Sequence, residues 1–432
     1  MRCAILAVFF AATARAAAFQ GRATCNSTLS PNSTSTTGGW ETRYTATGAA
    51  DVAAAAATAK TSSPTSNVTG KAFDRFVIIW NENTDYDKAR GDPNFAWLAE
   101  QGILLDNHFA VTHPSEPNYF AAVSGDHLGM QNDAFNRAAR NVSTVFDLLD
   151  ARGISWSAYQ EDMPFSGFEG MAWVNRANGA NDYVRKHNPP ALFDSVASSE
   201  QRLSQIKNLS MSDPGRSRFH ADLEAGALPQ WMWVTPNMTS DGHDTSVTVA
   251  GAWTRGFLEP LLADANFMRN TLVLVTFDEN ESYGRQNRIL GVLLGDAVPR
   301  HLVGTTDSAF YNHYSGLATV QANWDLPTLG RWDVGANVYA WVAERTGSVV
   351  RRWSEAAAVP DRFWNQSYAG PFNTDAPRPY PKPNLALDGD NAAGRGILDS
   401  VKQTWKDSTA PTYYQDTVQV PDGLHPPEGY AV

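Results

Sequence analysis

Short apolar runs alternate with amphipathic stretches along most of this chain. Phe-Val-Ile-Ile-Trp at 76–80 is apolar at consecutive positions, the pattern of a strand covered on both faces. Residues 93–101 read as a helix, capped by Asp92, with Pro93 at its first position and Gly102 as its stop. Residues 103–105 are strand-like, 142–152 are helical up to a stop at Gly153, and 154–159 return to strand. Runs at 231–235, 272–277 and 289–294 are further strand candidates, and 247–263 is a helix between the first two. Buried strands separated by helices predict an α/β fold, with a mostly parallel central sheet flanked by helices on both faces.

The two flanks break this rhythm. Arg2, an apolar run at 4–10 and small residues up to 18 follow the order of a secretory signal peptide, 1–18, too short for a stable membrane anchor. Residues 19–70, rich in Ala, Ser, Thr and Gly, show no sustained period and read as a leader with little fold of its own. The main domain is expected over 71–370. Beyond it, Pro371, Pro377, Pro379, Pro381 and Pro383 crowd a short span, so 371–432 is expected to wrap the surface in extended form. No later stretch is long and apolar enough for a transmembrane helix, which predicts a soluble, secreted protein, extracellular or associated with the cell wall.

Charge and cysteine usage narrow the partners. The formal charge of -11 becomes -13 once Arg2 and Arg15 leave with the signal, an acidic balance that argues against nucleic acid or an anionic membrane. Cys3 leaves as well, so Cys25 is alone; no internal disulfide can form, and nothing requires Cys25 to link two chains. Asn-x-Ser/Thr sites at Asn26, Asn32, Asn67, Asn141, Asn208, Asn237, Asn280 and Asn365 suit passage through a secretory pathway.

Polar clusters fall where an open parallel sheet binds its ligands, beyond the carboxyl ends of strands. The run at 76–80 leads into Glu82 and Asn83, the strand at 103 into a polar stretch around Ser115, the run at 231–235 into Asp241, Gly242, His243 and Asp244, and the run at 272–277 into Asp278 and Glu279. Glu82, Asn83, Asp278 and Glu279 offer oxygen donors, the type that suits Mg, Ca or Mn ions. A divalent ion there would activate the Ser115 hydroxyl and neutralise an incoming phosphoryl oxygen. Ser115 also stands where a helix is expected to begin, so a capping role competes with a chemical one.

Thr-His-Pro-Ser-Glu-Pro-Asn-Tyr at 112–119 with Val-Ser-Gly at 123–125, Glu82-Asn83, the stretch from Pro236 to Asp244, and Thr-Phe-Asp-Glu at 276–279 resemble the secreted fungal acid phosphatases of the phosphoesterase family. That family includes bacterial acid phosphatases and phospholipases C, and is a distant branch of the alkaline phosphatase superfamily. The resemblance runs from about Phe76 to Asp325. It implies an alkaline phosphatase-like fold and a phosphoesterase catalytic domain that hydrolyses small phosphate monoesters, with Ser115 as the nucleophile that becomes phosphorylated. It implies one divalent metal among Glu82, Asn83, Ser115, Asp278 and Glu279, with Zn as a further candidate. His243, oriented by Asp244, would contact phosphate or leaving group, and His187 and His313 match further motif positions. His113 would shape the pocket, whereas His108 and His127 are expected to pack or cap. A glycan on Asn280 would crowd this pocket, so Asn280 is expected to be unmodified. A phospholipase C-type phosphodiesterase is the nearest alternative. A non-catalytic secreted binding protein is the other, in which the tryptophans face sugars rather than fill the core.

Overall fold

Strand β1, Arg75–Asn81, is apolar through its middle because both of its faces are covered. Phe76, Ile78 and Trp80 pack into one core with helices Ser115–Ser124 and Tyr314–Trp324, while Val77 and Ile79 pack into a second core with helices Pro93–Glu100 and Val247–Leu262. The remaining strands are β2 Gly102–Phe109, β3 Trp156–Glu161, β4 Ala172–Val174, β5 Asn181–Val184, β6 Ile206–Leu209, β7 Trp231–Thr235, β8 Thr271–Phe277, β9 Arg288–Leu294, β10 Thr305–Asp307 and β11 Tyr311–Asn312. The central sheet runs β10-β2-β9-β8-β1-β7-β3-β6, with β11 continuing beside β2; β4 and β5 form a separate hairpin. This is the expected mixed α/β architecture with a mostly parallel sheet. The exception is β9, antiparallel to both β2 and β8, because 278–287 turns straight back instead of crossing over through a helix.

The computed structural model describes residues 48–175, 178–351, 367–389, 391 and 393–414. The expected signal peptide, Cys25 and the sequons at Asn26, Asn32 and Asn365 lie outside the described residues. No helix among the described residues is long and apolar enough to cross a membrane.

Two expectations about the flanks need correction. The segment expected to lack fold contains a helix, Ala49–Thr58, as its alanine run favours. Its Ser/Thr-rich end is then tied to the sheet domain: Ser62 N donates to Ser204 O at 3.0 Å, and Ser66 Oγ and Val68 N donate to Gln230 Oε1 at 2.6 and 2.8 Å. Linker-like composition here supplies hydroxyl and amide donors. Beyond residue 370 the chain is mostly extended, but it adds a helix, Asp399–Trp405, and buries Tyr380, Ile397, Val401, Trp405, Tyr413 and Tyr414 in the main core. Among the tryptophans, Trp80, Trp156, Trp231, Trp233, Trp324, Trp332, Trp341 and Trp405 are buried, which favours core filling over a sugar-facing surface.

Candidate active site

The register of β1 and β8 sets Asn81 opposite Phe277, so the residues that follow, Glu82 and Asp278, emerge side by side. Backbone pairing continues past the strands: Asp278 N donates to Asn81 O at 3.0 Å, Glu82 N to Asp241 O at 3.0 Å and Thr84 N to Glu279 O at 3.2 Å. These bonds fix three acidic segments against one another. Asn83 turns the chain with φ +46°, a left-handed conformation that Asn tolerates. In that turn its N–H donates to Asp278 Oδ1 at 2.9 Å and its Nδ2 to Glu82 Oε2 at 3.0 Å.

Ser115 is the first residue of its helix, and Pro114 occupies the cap position with no side-chain cap. The capping role considered for Ser115 is therefore absent. Instead its buried Oγ lies 3.3 Å from both Glu82 Oε2 and Glu279 Oε1, two acceptors for one proton. Asn118 stabilises the approach by accepting from Val111 N and Thr112 N at 3.1 and 3.2 Å. One helical turn on from Ser115, Tyr119 OH donates to Glu82 Oε1.

The other predicted side chains divide into two groups. His187 joins the site directly, with Nε2 3.3 Å from Glu82 Oε2, Nδ1 3.7 Å from Asp241 Oδ2, and its ring stacked on Tyr119 at 5.0 Å. His243 is partly exposed 6.1 Å from the His187 ring, and its Nδ1 is 2.7 Å from Asp244 Oδ1, as expected for an oriented imidazole. His113 is buried beside the acids, 2.6 Å from Glu279 Oε2 and 3.0 Å from Asn280 Oδ1. His313 sits behind the site: it is buried, it packs on Trp80, and its Nε2 donates to the Asp278 carbonyl at 2.6 Å. His108 and His127 are buried away from Ser115, and burial holds each at about 4, so both are neutral packing residues.

Glu82, Asp241 and Glu279 are held well above the usual carboxylate range, first by burial and then by neighbouring carboxylates; burial also raises Asp278. Burial, aided by Lys186 and His243, keeps His187 well below the ordinary imidazole value. Four buried carboxylates and an imidazole near one hydroxyl are a donor set that could hold a cation. Asp241 Oδ2 and His187 Nε2 are buried without a hydrogen-bond partner, and donor atoms of Glu82, His187 and Asp241 lie within 4.8 Å of one another. The arrangement can hold a metal. Its donors include an imidazole nitrogen as well as oxygen, so the set extends beyond the oxygen-only ligands expected from sequence and suits Zn as well as Mg, Ca or Mn.

Sequence reasoning placed Asp241 in a motif without a role and gave no role to Tyr119, Lys186 or Asp133. Asp241 was reachable from sequence as another acid just past a strand. Asp133 comes from a long connection, and Lys186 and His187 directly follow β5, a short strand with polar residues that gives no strand signal in the sequence.

Residues 91–327 match the phosphoesterase family. The chain is 50% identical over 364 residues to an acid phosphatase of Aspergillus fumigatus, covering 84% of this chain and 79% of that protein. It is 48% identical over 365 residues to a phosphate-repressible acid phosphatase of Penicillium chrysogenum, covering 84% and 85% respectively. A Vibrio parahaemolyticus protein in the alkaline phosphatase superfamily overlays more loosely, with TM-score 0.37, 13% identity, and 63% of this chain and 73% of that chain covered. The family match and the extent of these identities establish that the chain belongs to the phosphoesterase family.

Proposed function

We propose that the protein is an acid phosphatase that hydrolyses small phosphate monoesters through a phosphoserine intermediate at Ser115. The observation that carries this reading is the Ser115 hydroxyl, buried and 3.3 Å from two carboxylates at the end of a parallel sheet. The names of its relatives support the reaction class.

Ser115 Oγ attacks phosphorus as its proton passes to Glu82 or Glu279. His243, with Nδ1 on Asp244, has Nε2 left to give a proton to the leaving alcohol as its bond to phosphorus breaks. Water then gives a proton to His243 as it attacks phosphorus, the bond to Ser115 Oγ breaks, phosphate departs, and Ser115 takes its proton back from the carboxylate. A divalent metal held by Glu82, His187 and Asp241, with Asp278, Glu279 and Asn83 beside it, would supply positive charge for the phosphoryl oxygens. Tyr119 and Asn83 keep Glu82 oriented through their hydrogen bonds. Secretion through a cleaved leader accords with the sequence pattern at 1–18.

The test is Ser115→Ala. It should abolish turnover of p-nitrophenyl phosphate and leave the folding transition unchanged; activity near wild type would refute the nucleophile. Parallel assays on a bis-ester separate monoesterase from diesterase.

A further inference from the structure

The site gathers Glu82, Asp241, Asp278 and Glu279 around Ser115, yet its substrate is an anion. A single divalent ion does not balance that many acids, so phosphate recognition needs a cation from the chain itself. Lys186 is placed to supply it. It lies in the short turn Arg185–His187, and its chain neighbour His187 reaches Glu82 at 3.3 Å. Its Nζ is 2.9 Å from Asp133 Oδ2, and Asp133 Oδ1 accepts the Glu116 N–H at 2.9 Å, in the first turn of the helix that begins at Ser115. Lysine, aspartate and the nucleophile helix thus form one connected frame. The two side chains are 14% and 28% exposed, so both keep some contact with solvent.

Arg185, the adjacent cation, turns into the core, where it donates to Asn136 O and Ala191 O at 2.9 and 2.8 Å. The field of Lys186, by contrast, acts on Glu82, Asp241 and Glu279 together. Asp133 takes one of the three ammonium protons, and the others remain for an incoming oxygen.

We propose that Lys186 is a further catalytic residue, whose ammonium binds a non-bridging oxygen of the phosphoryl group, and that Asp133 is the positioning residue that holds it beside the first turn of the Ser115 helix. This rests on the phosphatase reading above. The role is electrostatic: Lys186 draws the dianion past the carboxylates and stays on the phosphoryl oxygens as charge redistributes during transfer.

The experiment compares the metal-loaded full chain as wild type, Lys186→Gln, Lys186→Arg and Asp133→Asn. Lys186→Gln should raise the inhibition constant of inorganic phosphate and lower kcat/KM for p-nitrophenyl phosphate, each by roughly 10- to 100-fold, the size of one charge-assisted hydrogen bond. Lys186→Arg should recover most of the phosphate affinity, and Asp133→Asn, which keeps the cation, should lose less of it than Lys186→Gln. Phosphate inhibition of Lys186→Gln equal to wild type overturns the proposal. A Lys186→Arg protein that loses phosphate as completely as Lys186→Gln also overturns it, because the role would then be one of packing. If Lys186→Gln loses its folding transition, Lys186→Met, which keeps the apolar stem, is read the same way. A wild-type protein that hydrolyses no monoester refutes the phosphatase reading and the proposal with it, whereas active wild type matched by Lys186→Gln refutes the proposal alone.

Discussion

Replacing Glu82 with Gln should stabilise the metal-free protein while removing its activity. Donor oxygens of Glu82 and Asp241 lie within 4.8 Å of each other, and two unit charges at that distance repel by about 3.5 kcal/mol at an effective dielectric near 20. Gln keeps an oxygen for Tyr119 OH but presents an amide where Glu82 Oε2 accepts from Asn83 Nδ2 and Ser115 Oγ, which together cost about 1.5 kcal/mol because Ser115 keeps Glu279 as an acceptor. The net gain is therefore about 2 kcal/mol near neutral pH. Unfolding entropy of about 2.1 cal/mol/K per residue over 432 residues converts this to a rise in Tm of about 2 °C.

The sign of the pH dependence follows from the direction of the shifts. Glu82, Asp241, Asp278 and Glu279 all titrate higher in the folded protein than when unfolded. Their contribution is fully present below the unfolded values near 4, and is lost as pH rises through the raised folded values. The advantage of Glu82→Gln should thus vanish near pH 4 and grow toward neutrality. Saturating divalent metal should reverse the order, because wild type gains binding energy that the variant lacks. Thermal unfolding of chelated and metal-loaded samples across this pH range is the assay. Equal destabilisation of Glu82→Gln at acid and neutral pH, without metal, would refute the repulsion on which the calculation depends.

Asp126 is buried beneath the C-terminal segment and accepts from Tyr368 OH, from Tyr413 OH at 2.8 Å and from Tyr414 OH at 2.7 Å. Tyr414→Phe should therefore lower stability by about 1.5–3 kcal/mol, read as a shift in the urea midpoint. Gly242 has φ +106°, and a Cβ there would stand 3.3 Å from Glu82 O, so Gly242→Ala should reduce kcat/KM far more than it reduces Tm. In secreted protein, mass spectrometry should find a glycan at exposed Asn67 and none at Asn280, whose buried Nδ2 donates to Asp85 and Ser282.

The sequence revealed the strands that are buried on both faces. The run at 231–235 matches β7, and those at 76–80 and 272–277 fall one residue inside the ends of β1 and β8 or closer, because their side chains must be apolar whichever way they point. β6, β10, β11 and the β4–β5 hairpin escaped notice because edge strands and hairpins keep polar residues; Lys207 in β6, for example, pairs with Asp222. Strand direction was also hidden, since the periodicity of β9 is the same whether it runs parallel or antiparallel. Within the site, Glu82, Ser115, Asp278 and Glu279 were legible from their position just after strands. His187 had a motif but no visible partner, because its neighbours Tyr119 and Asp241 are distant in sequence.

The same geometry explains why the acids are held together despite their repulsion. β1 and β8 are fixed in register by apolar packing on both faces, so Glu82 and Asp278 are forced into proximity by residues that carry no charge. The backbone bonds from Glu82 N to Asp241 O and from Thr84 N to Glu279 O extend that constraint to the loops. The core thus holds the carboxylates in an arrangement that is unfavourable until a cation enters. On the proposed reading, metal affinity and loss of apo-protein stability are two consequences of one placement, and a substitution that relieves the repulsion should also weaken the site for an ion.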